Sequence, residues 1–120
     1  MLEGVRVVSL EQAVAAPLCS RRLALAGAEV VKVERPEGDF ARYYDTAVAG
    51  QSAYFVWLNA GKKSVVLDLA DEDDKILLLR LIGRADVFIQ NLKPGALAKL
   101  GIDLERLHEQ HAGLISVSIS

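Results

Sequence analysis

The sequence predicts an α/β fold, an open and mostly parallel sheet with helices on both faces, in a single region of 120 residues. Short runs rich in valine and isoleucine alternate with longer segments of helical character along the whole chain. The first strand, helix and strand signals fit within roughly thirty residues, the span of a βαβ unit, whose crossover imposes parallel pairing. Neither an internal repeat nor a low-complexity segment breaks this alternation.

The first strand signal is Val5 to Leu10, with β-branched valines at 5, 7 and 8. A small-residue loop, Gln12 to Ala16, leads to Pro17, which suits the first turn of a helix because its missing N–H costs nothing there. Leu18 to Ala26 reads as that helix and Gly27 as its end. Glu29 to Val33 is the second strand. Glu34 to Gly50 carries Pro36, Gly38 and many polar side chains and reads as an excursion over the surface. Ser52 to Leu58 reads as a helical turn, and Ser64 to Leu69 as the third strand.

Four acids, Asp71 to Asp74, then open a helix that runs to about Ile82, with Arg80 and Arg84 near its other end; both charge groups suit the helix dipole. Ile76 to Leu79 is apolar on more than one face, so this helix is expected to be covered from two sides, with Gly83 as its stop. Asp86 to Gln90 is the fourth strand, Pro94 to Leu100 a short helix ended by Gly101, and Leu104 to Gln110 a helix capped by Asp103. Leu114 to Ile119 is the fifth strand. The chain stops on that strand signal, which suggests a fragment of a longer polypeptide.

Composition narrows the function. Apolar residues at 52% and charged residues at 25% suit a chain with a packed core rather than a disordered one. Fourteen basic and sixteen acidic residues give a net charge of -2, which makes no electrostatic case for nucleic acid or an anionic membrane as partner. One cysteine, Cys19, excludes a disulfide framework within the chain and a cysteine-rich zinc site. His108 and His111 lack an accompanying set of carboxylates or thiols, so no metal is expected. The absence of a signal-peptide pattern and of a long apolar run points to a soluble, cytoplasmic setting.

In such a sheet, ligands bind where the carboxyl ends of the strands meet the loops. The first loop, Glu11 to Ala16, lacks the G-x-G-x-x-G pattern that a dinucleotide pyrophosphate needs, which disfavours a nicotinamide or flavin dinucleotide. Glu34, at the end of the second strand, suits either a ribose hydroxyl or the role of a solvated or salt-bridged carboxylate. Arg35 suits either a phosphate or a plain surface position. Asn91 to Gly95 offers an amide, a cation and helix N–H groups, or is a structural junction only. Lys62 and Lys63 read better as a solvated pair than as ligand-binding cations. Cys19 reads better as a small buried hydrophobe than as a nucleophile. Tyr43, Tyr44, Tyr54, Phe55 and Trp57 read better as core than as a ligand pocket.

Taken together, the segments resemble those of one family. Leu2 to Val8 is similar to the opening strand of the family III (CaiB/BaiF-type) coenzyme A transferases, and Ala15-Ala16-Pro17 resembles their A-G-P loop, with Ala16 where glycine is common. Leu25 to Pro36 resembles L-G-A-x-V-I-K-V-E-x-P, and Asn59 to Leu69 resembles N-R-x-K-x-S-x-x-L-D-L. Ala85 to Gly95 resembles A-D-V-x-I-E-N-F-R-P-G. These motifs keep their order and spacing over essentially the whole chain.

The resemblance implies a Rossmann-like large domain, a second smaller domain and an interlinked homodimer. It implies binding of coenzyme A, with contacts from Val14, Ala15, Arg35, Leu67, Asn91, Leu92, Ala96 and Lys99. Ala70 falls where some relatives carry lysine, so one phosphate contact is expected to be missing. The resemblance places the catalytic aspartate beyond residue 120, so no catalytic residue is expected in this chain and the chain alone is expected not to turn over. In intact relatives that aspartate passes through an anhydride and a coenzyme A thioester while moving coenzyme A from an acyl-CoA to a small carboxylic acid. Glu11 to Pro17 and Gly38 to Arg42 resemble members that act on short dicarboxylates such as mesaconate or itaconate. The alternative reading is a non-catalytic nucleotide- or coenzyme A-binding module that uses the same crevice.

Overall fold

The structure, a computed structural model, describes residues 1–43 and 52–119. Five strands form one sheet in the order β3-β2-β1-β4-β5: β1 Arg6–Leu10, β2 Glu29–Glu34, β3 Lys63–Val66, β4 Val87–Gln90 and β5 Ile115–Ser118. Every pairing is parallel, as the βαβ reading predicts. β1 lies at the centre, with Val7 opposite Val30 on one side and Val87 on the other.

Alternation along the strands divides the core. Val7, Val30 and Ile89 face α1 (Ala15–Leu25), where Cys19, Leu23 and Ala24 pack against them. Val8, Leu10, Val33 and Phe88 face the opposite way. They meet Leu78 and Ile82 of α3 (Glu72–Gly83), Leu97 of α4 (Ala96–Lys99) and Leu107 of α5 (Leu104–Gln110). α2 (Ala53–Asn59) packs beside α1. Phe88, on a strand paired on both sides, is fully buried.

Local chemistry sets the helix boundaries. Asp103 accepts from the amides of Glu105 and Arg106, Asp71 from Asp73, and Ser52 from Phe55, so three helices begin on side-chain caps. Gly27 ends α1 with φ +108, a conformation a side chain resists. Gly83 does not stop α3 in that way: it is the last helical residue, and the imidazole of His111 lies 3.0 Å from where its Cβ would stand. His111 therefore packs against α3.

Two expectations fail. α3 is not covered from two sides, since Leu78 and Ile82 are buried but Ile76, Leu77 and Leu79 are 45%, 46% and 37% exposed. Positions four apart share the face that meets the sheet, and the residues between them turn away from it. The aromatic cluster is not core either: Tyr43 and Trp57 are 75% and 49% exposed. Trp57 receives Arg21 over its ring, and Phe55 lies beneath the guanidinium of Arg42. Tyr44 and the side chain of Tyr54 fall outside the described residues.

Candidate functional site

The chain order β1, β2, β3 runs outward on one side of β1, and β4, β5 on the other. The strand order therefore reverses between β1 and β4, and a crevice is expected at their carboxyl ends. Asn91, just after β4, bridges that point. Its Oδ1 accepts from the Gln12 amide at 3.0 Å and its Nδ2 donates to the Gln12 carbonyl at 2.8 Å. The side-chain amide offered by the sequence to a ligand is thus committed to holding the loop after β1.

Beside this clamp, at the ends of β1 and β2, lies a cleft of about 190 Å³. Leu10, Gln12, Arg35, Leu67, Leu92 and Leu100 contribute to its walls. It is smaller than the ~300–1,000 Å³ that encloses a drug-sized ligand. Three of the eight residues that the resemblance implicates, Arg35, Leu67 and Leu92, meet here. Val14 and Ala15 are exposed at the start of α1, and Ala96 and the exposed Lys99 belong to α4, which runs into Leu100 at the cleft.

Carboxylates dominate the polar lining, yet most are neutralised within the chain. Glu34 forms two bonds with Arg42, both 2.9 Å, which settles its reading as a salt-bridged side chain. Those bonds are the first cause that holds the Arg42 guanidinium above its ordinary pKa. Asp39 takes the Lys32 ammonium at 2.6 Å, and Glu11 takes that of Lys62 at 2.6 Å. Arg35, with its side chain 48% exposed, donates to the Gly38 carbonyl at 3.0 Å and stands 3.9 Å from Glu37. Among the described residues that line the cleft, it is the basic one.

Under α1 lies a polar core that the sequence reading missed. Ser9 on β1 and Lys32 on β2 point to the α1 face and are buried. Glu11 accepts from the hydroxyls of Ser9 and Ser20, and its other oxygen receives Lys62. Lys62 also donates to the Pro17 carbonyl and, with Lys32, to Asn59 Oδ1. Two ammonium groups thus face two carboxylates, and every polar group has partners, which is the condition for burying charge at tolerable cost.

The expectation of a solvated Lys62–Lys63 pair is therefore half wrong. Lys63 is exposed and reaches Glu29, but the Lys62 side chain is 1% exposed. The signal lay in Lys32 within Val30-Val31-Lys32-Val33: a lysine inside a strand covered on both faces needs a buried acid.

Desolvation is the first cause that holds Lys62 below its ordinary pKa of 10.5, with Glu11 opposing it and Lys32 adding to it. Between the depressed value and 10.5 the unfolded chain binds more protons than the folded one. Stability contributed by this group is thus absent below the folded value and grows as pH rises through the window. The gap in unfolding temperature between wild type and Lys62→Met should move in favour of wild type as pH is raised from neutrality toward 10.5; a gap independent of pH would contradict this.

The loop after β1 is strained. Ala13 has φ +65, the one positive value at a non-glycine residue among the described residues. Its amide donates to Asp39 Oδ1 at 2.8 Å. A β-branched residue fits this region worse than alanine, so Ala13→Val should destabilise the chain by about 1–3 kcal/mol in denaturant unfolding. Among the described residues, no group of His, Cys, Asp or Glu could hold a metal ion, and no helix is long and apolar enough to cross a membrane.

Comparison with known proteins places this arrangement. The profile of CoA-transferase family III matches residues 2–120. A succinyl-CoA:mesaconate CoA-transferase of Haloarcula hispanica is 41% identical, over 98% of this chain and 31% of that protein. An acetyl-CoA:oxalate CoA-transferase of Acetobacter aceti is 37% identical, over 98% of this chain and 31% of that protein. The crystal structure of a CaiB/BaiF family protein from Brucella suis superposes with a TM-score of 0.93 at 40% identity, over 99% of this chain and 33% of that one. The chain thus spans about 31% of the length of the curated relatives it matches. With its five motifs in order, its β3-β2-β1-β4-β5 sheet and a profile match over nearly its full length, the chain belongs to CoA-transferase family III.

Proposed function

We propose that this chain supplies the coenzyme A-binding portion of an acyl-CoA:carboxylate CoA-transferase. The observation that carries the reading is the cleft at the strand ends, where Arg35 stands at the mouth beside the apolar walls of Leu67 and Leu92. Apolar walls suit the flat adenine ring, and Arg35 and Lys99 suit the phosphates outside. Val14, Ala15 and Ala96 are small or backbone-accessible positions that allow close approach, while Asn91 fixes the loop they approach through.

The reaction assigned to the whole protein moves coenzyme A from an acyl-CoA to a small carboxylic acid. Its aspartate nucleophile belongs to sequence beyond residue 120, and the partner is a second copy of the same polypeptide in the cytoplasm. The likeness to the Haloarcula enzyme favours a short dicarboxylate as acceptor. A polypeptide of family length bearing this sequence should move labelled coenzyme A from succinyl-CoA to mesaconate or a similar acid, and the 120-residue chain alone should not. Absence of transfer to every acid of a broad panel would overturn the assignment and favour a non-catalytic coenzyme A-binding module; turnover by the short chain would overturn the placement of the nucleophile.

A further inference from the structure

We infer that Asp39 is a positioning residue for coenzyme A: its buried carboxylate holds the loop after β1 in the conformation that aims the start of α1 at the ligand. What the loop would touch rests on the proposed function, but the clamp itself is read from the geometry alone. Asp39 is 2% exposed, in the segment that follows β2. Its Oδ1 accepts from the amides of Ala13 at 2.8 Å and Ala41 at 3.0 Å, while Oδ2 takes Lys32 Nζ at 2.6 Å. A single carboxylate thereby ties β2, its own loop and the loop after β1.

The tie falls where the backbone resists. Ala13 holds φ +65, which an L-residue with a Cβ leaves when nothing retains it. The residue before it, Gln12, is gripped by Asn91. The residue after it, Val14, is the N-cap of α1 and has no side-chain cap bond. Loss of the Asp39 bond lets Ala13 relax to negative φ, and rotation at that one residue redirects Val14 and Ala15. Pairing with Lys32 does not by itself require the Ala13 contact, because Lys32 is met by Oδ2 while the Ala13 amide uses Oδ1.

Asp39→Ala and Asn59→Ala separate positioning from stability. Asn59 touches both buried lysines but not the loop, so both variants loosen the same polar core. Coenzyme A affinity is read by titration calorimetry at a temperature where circular dichroism shows each variant folded. Protection of the Ala13 to Ala15 amides is read by hydrogen exchange in NMR. Asp39→Ala should weaken binding about tenfold or more and speed exchange of the Ala13 amide. Asn59→Ala should lower the unfolding temperature but keep affinity within about twofold. Adding Ala13→Gly to Asp39→Ala should recover about fivefold in affinity, because glycine adopts positive φ without a steric cost.

Wild-type affinity in Asp39→Ala, or an equal loss in Asn59→Ala, would overturn the inference. Failure of the wild-type chain to bind coenzyme A would overturn the proposed function instead. The exchange data then decide the clamp: unaltered protection at Ala13 in Asp39→Ala contradicts it, and faster exchange confined to the loop supports it.

Discussion

Replacing Glu11 with leucine is expected to destabilise the chain by about 3–5 kcal/mol. The carboxylate is buried, and it receives Lys62 and two hydroxyls, with Lys32 3.8 Å away. Leucine keeps most of the volume and removes all of these partners. The buried ammonium of Lys62 is then left without its acid, the Ser9 hydroxyl without its acceptor, and the Ser20 hydroxyl with the Pro17 carbonyl alone. For a domain of this size the unfolding temperature should fall by roughly 10–25 °C. Glu37→Leu is the control, because its carboxylate is 70% exposed and 3.9 Å from Arg35, and pairs of that kind contribute little. Similar melting of the two variants would show that the polar core under α1 contributes no more than the surface does.

Phe88→Ala should cost about 3–5 kcal/mol through a different mechanism. Phe88 is 0% exposed, in the layer between the sheet and α3, α4 and α5. Truncation leaves a cavity whose walls are held by a strand paired on both sides, so little collapse can refill it. Phe88→Leu should cost much less, since it retains most of the volume. Chemical denaturation should show a lower midpoint with an unchanged slope. A loss below about 1 kcal/mol in Phe88→Ala would mean that the layer is looser than the side-chain packing indicates.

Much of the fold was legible in the sequence because its signals are local. Valine-rich runs place β1 and β2, Asp71 and Asp103 cap α3 and α5, and Gly27 closes α1. The parallel sheet follows from the βαβ spacing alone. Less legible were features that depend on which elements meet. The sequence shows Ile76 to Leu79 as one apolar run, but only packing decides which side of a helix is buried, and here Leu78 and Ile82 meet the sheet. Lys62 precedes a strand in a polar context and reads as solvated; its burial requires Glu11, distant by 51 positions, at the other end of the bond.

The candidate site divides in the same way. Arg35, Leu67 and Leu92 come from three separate loops into one cleft; the loops of Arg35 and Leu92 fall after strands as the sequence predicts, whereas the sequence places Leu67 inside the third strand, which ends at Val66. The commitment of Asn91 to the Gln12 backbone was not, because asparagine after a strand serves a ligand or a loop equally well in sequence. Asp39 sits in a polar excursion where its carboxylate looked unremarkable. Its role depends on the strained Ala13, and no residue type in the sequence announces a positive φ at alanine.

The rim of the sheet at β1, β2 and β4 is proposed to hold coenzyme A, with Arg35 and Lys99 facing its phosphates. Calorimetric titration of this chain with coenzyme A, NAD and ATP, repeated on Arg35→Glu and Lys99→Glu, tests it directly. Coenzyme A should bind more tightly than NAD, and each reversal should weaken it by about tenfold, with the loss shrinking as salt is raised. Equal binding of all three nucleotides, or coenzyme A affinity indifferent to both reversals, would contradict the claim.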